Sequence, residues 1–296
     1  MLENRSDGAD SATVVEVPPT GYEAVFDGGH RFRLLDRPGT FRLSRAGLAL
    51  GNHLRANLRP AEIGGRILEV GTGSGAIALL LRDMGATSIA ATDICAAAVE
   101  SARQHEVANF GDSIIDFEHC DLFPRNDSGE NERFDLIVFN PPGWRTPPGL
   151  AESGLAELDG TLNLDAMFYG DSVVLRFLQQ LPDHLTENGR AVIGLNSLIG
   201  IADIADRAAS AHRARTGSAI HSRVLESCEF PLMFYTEEWA RVREFLLTEF
   251  ERGRREYAAT YVTKGDTIHW FYEITEVTVE PLALSTAAPR HEPPVG

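Results

Sequence analysis

The sequence predicts an α/β protein with a seven-stranded, mainly parallel sheet, helices on both faces and an antiparallel last strand. Apolar, β-type runs alternate along the chain with helical patterns, as in successive strand–helix–strand units. The final apolar run alternates around His269 to Ile274, which is typical of a partly exposed antiparallel edge strand. A chain of 296 residues with 43% hydrophobic content is also large enough to bury a sizeable core.

Seven short apolar runs are predicted to be strands. They are Arg66–Val70, Ser88–Thr92, Ile115–His119, Asp135–Asn140, Ala191–Asn196, Ser222–Glu229 and Ile268–Val279. Six helices are predicted at Ser44–Leu58, Ala76–Met84, Ala96–Asn109, Phe168–Leu185, Ile201–Arg215 and Thr236–Tyr257. In the first helix, leucines recur every four residues behind the N-cap candidate Ser44, so one apolar stripe can pack on the sheet.

The composition at the two ends predicts disordered tails over residues 1–20 and 285–296, around one domain at 21–284. A helix-rich insertion at about 231–265 would be a natural lid for that domain. The net charge of −16 repels phosphate backbones, so a nucleic-acid partner is disfavoured. No apolar run approaches the roughly 20 residues that span a bilayer, so we expect a soluble, cytoplasmic chain without a membrane partner.

Cysteine and histidine patterns give no sign of a metal site. The three cysteines lie far apart without a CxxC pair, and we expect them to be buried small apolar residues. The nine histidines are scattered without the spacing of metal ligands, so no metal is expected.

A glycine-rich turn follows the first predicted strand and precedes a helix. Its order is Glu69-Val70-Gly71-Thr72-Gly73-Ser74-Gly75, which is G-x-G-x-G rather than the G-x-G-x-x-G of dinucleotide-binding proteins. The carboxylate of Glu69 suits a cationic amino-acid cofactor better than a pyrophosphate. At the end of the second strand, Asp93 is placed to accept hydrogen bonds from two ribose hydroxyls.

Two later blocks extend this pattern. The run from Asp93 to Asn109 and the segment Cys120-Asp121-Leu122-Phe123 resemble the second and third motifs of class I methyltransferases, over about residues 22–280. The resemblance implies a Rossmann-like domain whose cofactor is S-adenosyl-L-methionine, with Asp121 and Leu122 flanking the adenine. It implies cofactor contacts from Glu69, Gly71, Thr72, Gly73, Gly75, Asp93, Ile94, Asp121, Leu122 and Asn140.

The fourth predicted strand ends in Asn140-Pro141-Pro142-Gly143-Trp144. This segment resembles the N-P-P-aromatic motif of the HemK/PrmC-like small methyltransferases and their relatives, which modify planar nitrogens of nucleobases or glutamine amides. The resemblance implies that the Asn140 side-chain oxygen and the Pro141 carbonyl are the catalytic acceptors of the two N–H bonds. It also implies substrate contacts from Pro142, Trp144 and Phe41.

Gly143 stands where that family has its aromatic residue, and Trp144 follows one position later. Two interpretations follow: the glycine lets the loop rearrange so that Trp144 stacks on the acceptor, or the acceptor pocket differs from that of the family.

Three functional hypotheses follow from the sequence. The first is N-methylation of a small molecule or of a peptide or protein side-chain amide. The second is methylation of adenine or guanine amino groups in nucleic acid, which the N-P-P segment favours and the charge opposes. The third is a noncatalytic nucleotide-binding protein.

Overall fold

The structure is a computed structural model that describes residues 21–37, 42–126, 128–145, 168–233 and 243–280. Both predicted tails lie outside these ranges, as does Phe41. An antiparallel hairpin comes first, formed by β1 (Gly21–Val25) and β2 (Arg31–Leu35). The sequence analysis did not predict this hairpin.

The main sheet has eight strands in the described part of the chain. These are β3 (Ile67–Val70), β4 (Ile89–Asp93), β5 (Asp116–His119), β6 (Phe134–Phe139), β7 (Leu185–Asn196), β8 (Ile220–Pro231), β9 (Tyr261–Lys264) and β10 (Thr267–Val279). Their order is β5-β4-β3-β6-β7-β10-β8, and β9 pairs with β10. The pairs from β5 through β7 are parallel, whereas β10 runs antiparallel to both β7 and β8.

All seven predicted strands are therefore confirmed, as is the antiparallel last strand. The expectation that this strand forms an exposed edge is wrong, because β10 lies between β7 and β8. Both edges of the β10 backbone are thus paired with neighbouring strands. The short strand β9 was not predicted, and it lies within the segment expected to be a helical insertion.

Seven helices are described. They are α1 (Arg45–Asn57), α2 (Pro60–Ile63), α3 (Ala76–Asp83), α4 (Ala96–Phe110), α5 (Gly170–His184), α6 (Ile201–Thr216) and α7 (Arg243–Glu256). The predicted cap of α1 is confirmed, because the Ser44 hydroxyl accepts the backbone N–H of Gly47 at 3.0 Å. The predicted helix at 236–257 is described only from residue 243, where it coincides with α7. Helix α2 was not predicted.

Helices cover both faces of the sheet, as expected. On one face, Phe26 of the hairpin segment and Leu50 of α1 belong to a core cluster that also includes α3 and α4. On the other, Phe177 of α5 and Ile204 of α6 pack in a second cluster. None of the helices in the described ranges is long and apolar enough to cross a membrane.

The expectation of buried cysteines is not met. Cys95, Cys120 and Cys228 are each partly exposed, and each is a free thiol. Cys95 and Cys120 stand at the ends of strands rather than within them, so the sheet does not enclose them.

Candidate active site

The central parallel strands end at one edge of the sheet. There β3 has β4 on one side and β6 on the other, so the chain connections leave β3 in opposite directions. Ligands of open α/β sheets bind at such a switch point. A cavity of about 400 Å³ lies at this edge, within the usual range for small-ligand sites.

The glycine loop after β3 needs glycine for two reasons. Gly71, Gly73 and Gly75 have φ values of +65°, +55° and +82°, in the region that disfavours side chains. In addition, a Cβ atom at Gly75 would lie 2.9 Å from that of Ala102 on α4. The loop can therefore bring its backbone close to a ligand while it packs tightly on the helix behind it.

Glu69 is buried at the base of this loop, with 4% of its surface exposed. The hydroxyl of Thr72 and the backbone N–H of Ala78 both donate to its Oε2, at 2.5 and 3.0 Å. Burial raises the pKa of Glu69 to about 8, although the two hydrogen bonds oppose that rise. In the structure Glu69 ties the loop to the start of α3 and also lines the cavity.

Asp93 ends β4 and faces the same loop. Its Oδ2 accepts the N–H of Gly73 at 2.9 Å and its Oδ1 accepts the N–H of Cys95 at 2.8 Å. A carboxylate has about four acceptor sites, so two remain for the ribose hydroxyls that the sequence predicts here. Asp93 is not the N-cap of α4, which is Cys95. Burial raises the pKa of Asp93.

Two apolar side chains line the cavity beside Asp93. Ile94 has 66% of its surface exposed, which is unusual for a residue of its size. Leu122 has a φ of +67°, a conformation that costs roughly 1–2 kcal/mol in a non-glycine residue. Its carbonyl accepts the hydroxyl of Thr92 at 2.7 Å, which helps to hold that conformation. This arrangement suits a flat, apolar ring such as adenine.

Asp121 has a partner that the sequence did not reveal. Arg176 of α5 donates to both of its carboxylate oxygens, at 2.5 and 3.2 Å, and both residues line the cavity. Because Arg176 comes 55 positions later on a different helix, no local pattern linked the two. The ion pair lies at a half-exposed part of the cavity wall.

Asn140 follows β6 and lies between two elements distant in sequence. Its Oδ1 accepts the hydroxyl of Tyr272 on β10 at 2.7 Å. On the other side, its Nδ2 lies against α1, where a Cβ at Gly47 would approach within 3.3 Å. The amide that the sequence singled out is therefore held in a defined place, and Asn140 lines the cavity.

The Tyr272 ring reaches Asn140 because it lies over a glycine. A Cβ atom at Gly194 of β7 would lie 1.6 Å from the Tyr272 oxygen, which no rearrangement of the ring tip would relieve cheaply. Tyr272 is almost fully buried, and burial raises the pKa of its phenol. Its hydroxyl therefore stays protonated at ordinary pH and remains a donor. The sequence analysis missed both residues.

The loop after Asn140 turns Trp144 away from the cavity. The Trp144 ring meets Phe168 and Phe250 edge to face, with ring centres 5.4 and 5.9 Å apart. Among the described residues, those lining the cavity include Pro141, Pro142 and Gly143 but not Trp144. The structure thus places Pro142 where a substrate contact was predicted and places Trp144 elsewhere.

Neighbouring contacts hold this loop in place. The carbonyl of Trp144 accepts the N–H of Gly170 at 2.8 Å, and Arg145 pairs with Asp171 and Asp203. A Cβ at Gly143 would lie 3.0 Å from the amide nitrogen of Asn196, so a larger residue there would displace β7 side chains. The geometry favours the second interpretation of Gly143, in which the acceptor pocket differs from that of the family.

Strands β8 and β10 supply an aromatic wall to the same cavity. Phe230 and Trp270 are paired across these strands, and their ring centres are 5.3 Å apart at an angle of 51°. Both are half-buried and line the cavity beside Tyr272. Trp270 and Tyr272 lie on one face of β10, and the pairing with β8 brings Phe230 beside them.

A model of a known family matches this part of the chain. The family is the methyltransferase small domain, and the match covers residues 31–146. Residues 31–146 are thus similar to the methyltransferase small domain. The cofactor S-adenosylmethionine fits the open loop at Gly73, the acceptor sites left on Asp93 and the exposed Ile94.

Relatives of this chain are named for the methylation of different acceptors. A Methanocaldococcus jannaschii protein named "Putative protein N5-glutamine methyltransferase" is 34% identical over 45% of this chain and 63% of its own length. A tRNA1(Val) (adenine(37)-N6)-methyltransferase of a Flavobacteriaceae bacterium is 33% identical over 40% and 48%. This chain therefore spans less than two thirds of the length of either relative.

A solved structure was also found in the comparison. The 16S rRNA N2 G1207 methyltransferase of T. thermophilus aligns with 86% of this chain and 50% of its own, at 18% identity and a TM-score of 0.46.

Proposed function

We propose that the protein transfers a methyl group from S-adenosylmethionine to a planar nitrogen, on a small molecule or on a peptide or protein side-chain amide. The observation that carries this proposal is the placement of Asn140. Asn140 lines the same cavity as Asp93 and the glycine loop. One cavity thus combines a cofactor cradle with an acceptor for N–H bonds.

Different residues bind the cofactor and the acceptor group. Asp93 binds the ribose, Ile94 and Leu122 enclose the adenine, and the glycine loop allows close backbone approach. Asn140 and the Pro141 carbonyl accept the two N–H bonds of the acceptor group, which orients the nitrogen lone pair toward the methyl group.

The cofactor supplies an electrophilic methyl group on a positively charged sulfur, so no strong base is needed before transfer. The nitrogen lone pair forms the new N–C bond while the C–S bond breaks, and its electron pair stays on sulfur. One N–H proton leaves to water, so the product nitrogen is neutral. Asn140 and Pro141 bind the N–H groups most strongly as positive charge develops on the nitrogen.

Nucleic-acid methylation is the second candidate. It is favoured by the named activity of the tRNA relative and by the Asn140-Pro141-Pro142 segment. The net charge of −16 opposes it, because a phosphate backbone would meet an unfavourable mean field.

Two measurements test the proposal. Calorimetric titration with S-adenosylmethionine, its demethylated product and NAD should show micromolar binding of the first two only. A screen for formation of the demethylated product, over glutamine peptides, heteroaromatic amines and RNA, should then find an acceptor. Preference for NAD, or no binding at all, would support the third hypothesis of a noncatalytic nucleotide-binding protein.

The variant Asn140→Ala should bind the cofactor as the wild type does while losing turnover, since the partner of Asn140 is the acceptor. Asn131→Ala, in an exposed loop before β6, is the matched control. Full turnover by Asn140→Ala would point to a different acceptor chemistry.

A further inference from the structure

The cavity has an apolar wall that the cofactor contacts leave unassigned. Its members are Phe230, Leu232 and Met233 at the end of β8 and Trp270 on β10. Within the described residues, the lining that runs from Asn140 through β7, β8 and β10 carries no charged side chain. A group bound there would therefore be uncharged.

This wall lies close to the acceptor oxygen. The Tyr272 ring touches both aromatic rings, with centres 6.4 Å from Phe230 and 6.3 Å from Trp270. Its hydroxyl at the same time donates to Asn140. A planar group whose nitrogen is bound at Asn140 thus lies beside the rings of Phe230 and Trp270.

We propose that Phe230 and Trp270 form the stacking surface for the methyl acceptor, in place of the aromatic residue that Gly143 lacks, and that the acceptor is a neutral heteroaromatic ring carrying the methylated nitrogen. This inference rests on the proposed function. Two rings 5.3 Å apart offer more surface than the small plane of a side-chain amide can cover, whereas a heteroaromatic ring can contact both.

Burial of exposed apolar surface also favours binding of a ligand to this wall. Phe230 and Trp270 are partly exposed to the cavity although both are large apolar side chains. Covering them with a flat ring removes apolar surface from water and adds aromatic contact. Trp144 packs edge to face on Phe168 and Phe250 instead, and it does not line the cavity.

The test uses the full chain labelled with 5-fluorotryptophan and saturated with the demethylated cofactor. The chain has three tryptophans, Trp144, Trp239 and Trp270, so the fluorine resonances can be assigned with single Trp→Phe variants. The ring probes are 2-aminopyrimidine and adenine, and the amide probe is N-acetylglutamine methylamide, all at millimolar concentration. We expect saturable shifts of the Trp270 resonance with the ring probes and an unshifted Trp144 resonance.

Variants locate the surface. Phe230→Ala should weaken ring-probe binding by about 5-fold or more, as expected for loss of one stacking partner. Phe271→Ala, which removes a ring from the opposite face of β10, should leave it unchanged. Unchanged affinity for the demethylated cofactor shows that each variant is folded.

Each outcome that contradicts the proposal rules out a different part of it. A Trp270 shift with the amide probe alone would make the acceptor an amide and overturn the ring assignment. A shift of Trp144 instead, or no shift with any probe, would remove the stacking role from this wall while leaving the proposed function intact. Failure of the demethylated cofactor to bind would contradict the proposed function itself.

Discussion

Tyr272 is a positioning residue for Asn140. Its hydroxyl donates to the Asn140 oxygen at 2.7 Å and stays protonated because burial raises its pKa. One acceptor site of that oxygen is thereby used, and the other is left in a fixed direction for the acceptor N–H. The ring alone would fill the same space, so the hydroxyl acts on orientation rather than on packing.

We predict that Tyr272→Phe lowers kcat by about 3- to 10-fold, the value of one hydrogen bond, and leaves cofactor affinity unchanged. The matched control is Tyr261→Phe, which removes a hydroxyl bonded to Glu251 outside the cavity. Steady-state kinetics with the acceptor found in the screen, combined with calorimetry, measures both quantities. Equal kcat in the two variants would remove Tyr272 from the mechanism.

Glu69 makes cofactor binding depend on pH. Its pKa is about 8 in the unliganded protein because of burial, so below that pH the carboxyl is largely protonated. A cationic cofactor in the same cavity favours the carboxylate and lowers this pKa. We therefore predict that binding releases protons between about pH 6 and 8, so that affinity rises with pH in this range and levels off above it.

The proton release is measured by calorimetry in buffers of different ionisation enthalpy. Glu69→Gln, which keeps an acceptor oxygen for Thr72 and Ala78, should abolish the buffer dependence. If the wild type shows the same heat in every buffer, Glu69 does not change its protonation state on binding, which would contradict this prediction.

Helix α1 follows the β1–β2 hairpin and reaches the acceptor site. Its capped N-terminus lines the cavity at Ser44, and Gly47 lies against Asn140 one turn later. Leu50 and Leu54, which continue the predicted stripe, are fully buried in the core. The cap and the stripe together fix how α1 approaches Asn140.

We predict that Ser44→Ala lowers the free energy of unfolding by about 1 kcal/mol through loss of the cap. Ser44→Asp, which can accept the same N–H, should retain most of that stability. Urea unfolding followed by circular dichroism gives both values. Equal losses in the two variants would show that the hydroxyl contributes by packing in the cavity and not by capping.

At the scale of elements, local pattern was enough for the central strands and most helices. The runs around β3, β4 and β6 are short, apolar and followed by helical periodicity, so strand and helix could be read directly. The hairpin β1–β2 was not predicted because apolar and polar residues alternate over only a few positions in its strands. The predicted place of β10 was wrong because strand order depends on β8, whose residues lie 38 positions or more upstream of their partners in β10.

The net charge of the whole molecule affects which partners it can attract. The net charge is −16, and in the described part of the chain several arginines are paired with acids, as Arg190 is with Glu62 and Glu276. These pairs reduce the positive surface that a phosphate backbone could meet. Long-range attraction to nucleic acid is therefore not expected.

We predict no micromolar binding of fluorescently labelled tRNA or of an rRNA hairpin at low salt, measured by anisotropy, with a basic RNA-binding protein as the positive control. Binding that weakens linearly with the logarithm of salt concentration would reveal a local basic patch and favour the nucleic-acid candidate.

The sequence by itself determined the α/β class, the cofactor loop from Glu69 to Gly75 and the positions of Asp93 and Asn140. These features are local: each is a few residues in a fixed order at the end of a strand, and parallel strands bring such ends to one edge. Only the tertiary structure decided what faces Asn140. Tyr272 bonds to it, and Gly194, Phe230 and Trp270 lie around Tyr272, because β10 inserts between β7 and β8. Such long-range pairing leaves no mark in any short stretch of sequence.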